Sequence, residues 1–181
     1  MSFRNAGTLL FLGGTQFILA MVIAEAVYPG YSVSGNYISD LGVGPAAGIF
    51  NFSIVLLGTA GILASYLIQR ASQSIVPALF SIAGAGAVGV GVFPETTGAI
   101  HPIVSLIAFL FGGLAAIAAY RFEKSPLNYL SVLLGALALI ALALFTSHIY
   151  LGLGPGGMER MIAYPILLWL IGFGSQLMTR T

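Results

Sequence analysis

The chain has 181 residues, of which 59% are hydrophobic and 6% charged, with a mean hydropathy of +1.03 and a formal net charge of +1. A water-soluble domain of this size needs far more charged surface, and nucleic acid needs a basic patch that is missing here. The lack of cysteine rules out disulfides, thiol catalysis and thiolate metal sites.

Six apolar stretches follow one another. They run over roughly Gly7–Val27, Ala47–Gln69, Ile75–Phe93, Pro102–Tyr120, Leu127–Tyr150 and Met161–Met178. About 20 residues at ~1.5 Å each cross a ~30 Å hydrocarbon core, and each stretch meets that length. The runs are apolar all round, which excludes the short alternating strands of a β-barrel. The expected fold is all-α, one domain over residues 1–181, a six-helix transmembrane bundle.

An even number of spans puts both termini on one side. Arg4, Arg70, Arg121, Lys124 and Arg180 then share that side, and Arg160 stands alone on the other. Basic residues stay cytoplasmic, so both termini are expected in the cytoplasm of a multi-pass cell-membrane protein. Arg4, an apolar run and Ala24-Glu25-Ala26 also resemble a secretory signal with its cleavage site. The run is longer than a usual signal core, and losing it would spoil the charge asymmetry.

Small residues recur along the third stretch, with Ala83, Ala87 and Gly91 on one face and Ala85 and Gly89 on another. Gly112 and Ala116 repeat the pattern in the fourth. Close backbone approach supplies dispersion where lipid removes the hydrophobic gain. The same stripes could instead form a groove for an acyl or isoprenoid chain. Pro165 removes one ladder hydrogen bond and is expected to kink the sixth helix.

Polar chemistry gathers on the side away from the termini, where Glu25, Asp40, Glu95, His101, His148, Glu159 and Arg160 fall. Of the chain's five carboxylates, Glu123 alone lies on the other side. Ionisable groups at membrane depth are costly and tend to serve function. Outer loops also carry acidic residues simply because basic ones are excluded.

The first outer loop, Tyr28–Ala46, reads YPGYSVSGNYISDLGVGPA. Asn36, Ser39 and Asp40 are its most polar members, and Tyr28, Tyr31 and Tyr37 suit the headgroup layer. Asp40 also fits a turn or cap. The second, Pro94–Pro102, carries Glu95 and places His101 near a helix N-terminus, where the dipole disfavours imidazolium. His101 is therefore expected neutral, able to bind metal or accept a proton. His148 is expected in the last turn of the fifth helix, at matched depth. The third loop ends in Glu159-Arg160, expected to open the sixth helix. Arg160, at the unfavourable end of a dipole, needs an anion: Glu25, Asp40, Glu95 or a lipid phosphate.

NYISDLG in the first loop, GVFPE followed by His101 in the second, and GGMER followed by YPILLW together resemble the domain of unknown function 998 family, six-helix prokaryotic membrane proteins. The resemblance covers essentially the whole chain. It implies six helices and points to Asn36, Ser39, Asp40, Pro94, Glu95, His101, Glu159 and Arg160; the family supplies no activity to carry over.

Three functions stay open. A lipid- or isoprenoid-handling protein at the outer leaflet would use Asp40, Glu95 and His101 for acid–base work, with Asn36, Ser39, Glu159 and Arg160 holding the ligand. A metal or haem protein would use His101 and His148 as ligands. A non-catalytic small subunit would pack in a larger membrane complex or homo-oligomer. The expected partners are membrane lipids.

Overall fold

The computed structural model describes residues 2–72 and 74–180. Six α-helices account for most of them: α1 Ser2–Val27, α2 Ala47–Gln69, α3 Val76–Val92, α4 Ile100–Ala118, α5 Leu127–Thr146 and α6 Gly154–Met178. Short 3-10 turns cover Ser39–Gly42, Gly44–Ala46, Glu95–Thr97 and Ala119–Arg121. No strand occurs among the described residues.

Five of the six helices are long and apolar enough to cross a membrane. The exception, α3, has 17 residues, about 26 Å at the α-helical rise. Its ends explain the shortfall. Pro77 sits in its first turn, and Phe93 leaves the helical region at φ −118°, ψ 78°, as a residue before proline does.

Several expected boundaries move: α1 starts at Ser2 rather than Gly7, and two shifts bear on the polar residues. The fifth helix ends at Thr146 rather than Tyr150, and His148 lies beyond it with φ 57°. The sixth starts at Gly154 rather than Met161. Glycines weaken a helix, so GPGG reads as loop in isolation. Pro155 in the first turn favours helix initiation instead, and the segment packs against the first loop. The Gly156 N–H donates to the Ser34 carbonyl at 3.0 Å, and a Cβ on Gly156 would collide with the Asn36 carbonyl oxygen. Glu159 and Arg160 therefore sit in the second turn of α6, not at its opening. Pro165 lies within the continuous α6.

Each helix packs on its neighbours in sequence, α1 closes on α6, and α4 also touches α6. Five helices therefore ring the centre, with α5 outside, wedged between α4 and α6. Glycines set the closest crossings. A Cβ on Gly58 would fall 2.5 Å from the Gly84 carbonyl oxygen, and one on Gly7 would fall 2.5 Å from that of Gly174. The small residues of α3 divide their work: Gly91 meets α2 at Asn51, Ile54 and Val55, Gly89 meets Val104 of α4, and Ala83 and Ala87 face a central cavity.

We call the end bearing the termini the terminal face and the opposite end the distal face. Apolar packing near the terminal face centres on Phe80, Trp169 and Phe173, stacked at 5.1–5.7 Å between ring centroids. Towards the distal face, Phe17, Phe50 and Ile54 pack with Ile38 and Leu41 of the first loop. Leu19, Phe52, Leu133 and Ile140 remain exposed on the outer perimeter, as lipid-facing side chains of a bundle do.

Candidate functional site

The distal face is assembled around Arg160, a buried side chain on α6. Its Nη2 donates to Glu25 Oε1 at 2.6 Å and to the Tyr31 hydroxyl at 2.7 Å. Its Nη1 donates to the carbonyls of Val33 at 2.9 Å, Gly156 at 2.9 Å and Asn36 at 3.2 Å. The guanidinium also lies 5.6 Å from the centroid of the Tyr31 ring. Burial pushes the Tyr31 phenol up to about 12, although Arg160 pulls the other way. One cation thus ties α1, the first loop and the start of α6 together. The anion it needs is Glu25. A headgroup could bond to it only at Nε, which is buried and has no partner among the described residues, or by displacing one of these acceptors.

Beside this anchor lie three carboxyl groups from three segments. Asp40 Oδ2 accepts from Asn36 Nδ2 at 2.8 Å and from the Tyr37 N–H at 2.9 Å. The second bond reaches back three residues, as the acidic half of a capping box does. Glu159 Oε2 accepts from the Ile38 N–H at 2.5 Å. Glu95 Oε1 accepts from the Ser39 hydroxyl. Burial holds the Glu95 carboxyl above the usual range, with the negative charge of Asp40 adding to the effect and the Ser39 bond opposing it.

The segment Asn36–Asp40 is the hinge of the whole arrangement. Asn36 serves Arg160 through its carbonyl and Asp40 through its side chain, Ile38 serves Glu159, and Ser39 serves Glu95. The three segments NYISDLG, FPE and MER, scattered over 125 positions of sequence (160 − 36 + 1), therefore meet in space.

His101 is buried in the first turn of α4. Its Nδ1 lies 2.7 Å from the Phe93 carbonyl, which only accepts, so Nδ1 carries a proton. Nε2 faces the Ser105 hydroxyl at 3.3 Å and is the nitrogen left to a ligand or a proton. His148 is exposed and pairs with the Tyr150 hydroxyl at 3.1 Å. The two imidazoles have separate partners. Among the described residues, no group of three or more His, Asp or Glu side chains is arranged to hold a metal ion.

Beneath this site, among α1, α2, α3, α4 and α6, lies an apolar cavity of about 110 Å³. Gly58, Gly61, Ala83, Gly84, Ala87, Ala108, Gly112 and Ala163 leave the space, and Phe17, Phe80, Phe109 and Trp169 wall it. Phe17, Ile54, Ala87, Ala163 and Leu167 belong both to this lining and to the apolar cluster that supports Ile38 and Leu41. The cavity's distal wall is thus the floor on which Asn36–Asp40 rests.

Two parts of the arrangement escape sequence reasoning. Tyr31 reads as one interfacial tyrosine of three, yet it donates to the Tyr37 carbonyl at 2.7 Å and accepts from Arg160. Glu123, flanked by Arg121 and Lys124, reads as part of a solvated turn, yet it is buried against Trp169 and Ser131. Its one sequence signal is that it stands apart from the other four acids.

No curated protein and no solved structure matches the chain. Residues 11–176, which span all three converging segments, match the family described as Protein of unknown function (DUF998), and the chain belongs to that family.

Proposed function

We propose that this protein binds or modifies a lipid or isoprenoid from the outer leaflet of the cell membrane. The chain of the ligand occupies the apolar cavity, and its polar end reaches Asp40, Glu95 and His101. One observation carries the reading: an apolar void among five helices shares its lining with the floor of a loop that carries half-buried Asp40 and meets half-buried Glu95, with buried His101 nearby in the chain. Apolar cavities on the order of 150 Å³ stay dry and accept hydrophobic ligands. In this reading His101 Nε2 is the proton acceptor, and the Asp40–Glu95 pair, one carboxyl favouring its proton, is the acid. Asn36, Ser39, Glu159 and Arg160 hold the first loop over the cavity.

Both termini lie in the cytoplasm in this reading, supported by the five-to-one division of basic residues. Reporter fusions at the C-terminus that respond as cytoplasmic agree with it; an extracytoplasmic response overturns the orientation and moves the site to the inner leaflet.

The ligand is tested by lipid extraction and mass spectrometry of protein purified in mild detergent. A Cβ on Gly61 would meet only the Gly84 Cα, at 3.8 Å, so Gly61→Leu fills the cavity without disturbing a tight crossing. The wild type should retain one lipid class in stoichiometric amount, and Gly61→Leu should lose it. Identical, membrane-average lipid from both proteins contradicts the proposal.

A further inference from the structure

The terminal face holds a polar group that the lipid reading does not use. Glu123 follows the turn after α4 and is 7% exposed. Its Oε1 accepts from Trp169 Nε1 at 3.0 Å, and its Oε2 accepts from the Ser131 hydroxyl. No cation is bonded to it: the only ion pair among the described residues is Arg160–Glu25. Arg180 is the charged group that faces it from the end of α6, but Arg180 donates to the Phe122 carbonyl and stacks 4.2 Å from the Phe122 ring centroid. Arg121 and Lys124 on its own segment, and Arg4 at the start of α1, are exposed.

We propose that Glu123 is a proton-binding site built onto the wall of the central cavity, and that Trp169 carries its protonation state to that wall. Ser131 makes both states of the site self-consistent. Its hydroxyl can donate to the carboxylate. It can also turn to the Leu127 carbonyl at 2.8 Å or the Asn128 carbonyl at 3.0 Å, leaving its oxygen to accept from the protonated carboxyl. Neither state strands a buried donor or acceptor. Burial without a bonded cation favours the neutral form and pushes the Glu123 carboxyl up to about 7, against the pull of Ser131, Trp169 and Arg180. Trp169 has only its indole N–H to give, and gives it to Glu123, while its ring lines the cavity and stacks on Phe80 and Phe173. A hydrogen bond to a carboxylate is about twice as strong as one to a neutral carboxyl, so proton uptake loosens the one polar tether of the cavity's largest wall residue.

The proposal does not depend on lipid binding, and its test uses no ligand. Trp169 is the only tryptophan in the chain, so intrinsic fluorescence reads its environment directly. Titration of purified protein in detergent from about pH 5 to pH 9 should show one transition with a midpoint near neutrality, well above the ordinary carboxyl range. Glu123→Gln should abolish it. Ser131→Ala and Arg180→Gln each remove a group that favours the carboxylate, and each should move the midpoint upward by about half a pH unit or more. A purely structural role for Ser131 or Arg180 would leave the midpoint in place. A flat wild-type profile, a transition that survives in Glu123→Gln, or a midpoint that stays or falls in Ser131→Ala and Arg180→Gln overturns the proposal. Should Glu123→Gln fail to fold, the two shifted midpoints decide it alone.

Discussion

At the distal face Arg160 meets Glu25 at 2.6 Å and fills the rest of its two terminal nitrogens with a phenol and three carbonyls. At the terminal face Glu123 receives, among the described residues, an indole and a hydroxyl but no cation. Both groups are buried, but the chain neutralises one with an opposite charge and the other with dipoles. A buried charge with an ion-pair partner becomes a structural tie, because removing either side strands the other. A buried carboxyl held by dipoles keeps a neutral alternative, because a proton can replace the missing cation. The distal arrangement should therefore fail by losing structure, and the terminal one should respond to pH.

The largest expected effect is at the tie. Arg160→Ala leaves Glu25 unpaired and releases the carbonyls of Val33 and Asn36, and breaking a buried pair costs about 3–5 kcal/mol. Its melting temperature in detergent should fall far below that of Arg70→Ala, whose exposed guanidinium meets Tyr66. Equal melting of the two variants would mean that the distal loop does not hang on Arg160.

Next in size is the pH response of Glu123. Its folded carboxyl titrates at about 7 against a reference of 4.5, so the fold prefers the protonated form. The stability that this form contributes is fully present below the reference value and is lost as pH rises through about 7. At about 1.4 kcal/mol per unit the loss is at most about 3.5 kcal/mol. Wild type and Glu123→Gln should melt alike near pH 4.5, and the glutamine variant should be the more stable above pH 7. Parallel melting curves across the range would contradict an environment without a bonded cation.

The smallest effect belongs to the links between loop and site. Ser39→Ala deletes the hydroxyl that Glu95 accepts from, and a net hydrogen bond of this kind contributes about 1 kcal/mol. The measurable sign should be a modest loss of thermal stability with the Arg160 anchor intact. A loss as large as that of Arg160→Ala would merge the two halves of the distal network into one cooperative unit.

These two faces were legible in the sequence to different depths. Six apolar stretches and their length give the six helices, because hydropathy over about 20 residues averages out local uncertainty. The helix ends are less legible. GPGG reads as loop from glycine propensity, and only contact with Asn36 and Ser34 shows why α6 begins there. Asn36, Ser39, Asp40, Glu95, Glu159 and Arg160 can be picked out as polar residues in apolar surroundings, and the structure brings them together. Their pairing cannot be read, since Arg160 has several acids within plausible reach and sequence gives no register between loops. Glu123 hides in plain charge: Arg121 and Lys124 beside it are solvated, and only Trp169, 46 positions away, reveals the difference. His101 and His148 look like a pair because they share a depth, but depth fixes one coordinate, and their hydrogen bonds lead to different neighbours.

The proposed function places a lipid chain inside the five-helix ring. Trp169 is 0% exposed and lines the cavity, so a bromine-labelled chain quenches it efficiently only by entering. In nanodiscs of brominated-chain lipid at fixed pH, wild-type fluorescence should fall strongly relative to unlabelled lipid, and Gly61→Leu should lose most of that quenching. Equal quenching in both proteins, or none in the wild type, would place the lipid outside the bundle and contradict the account.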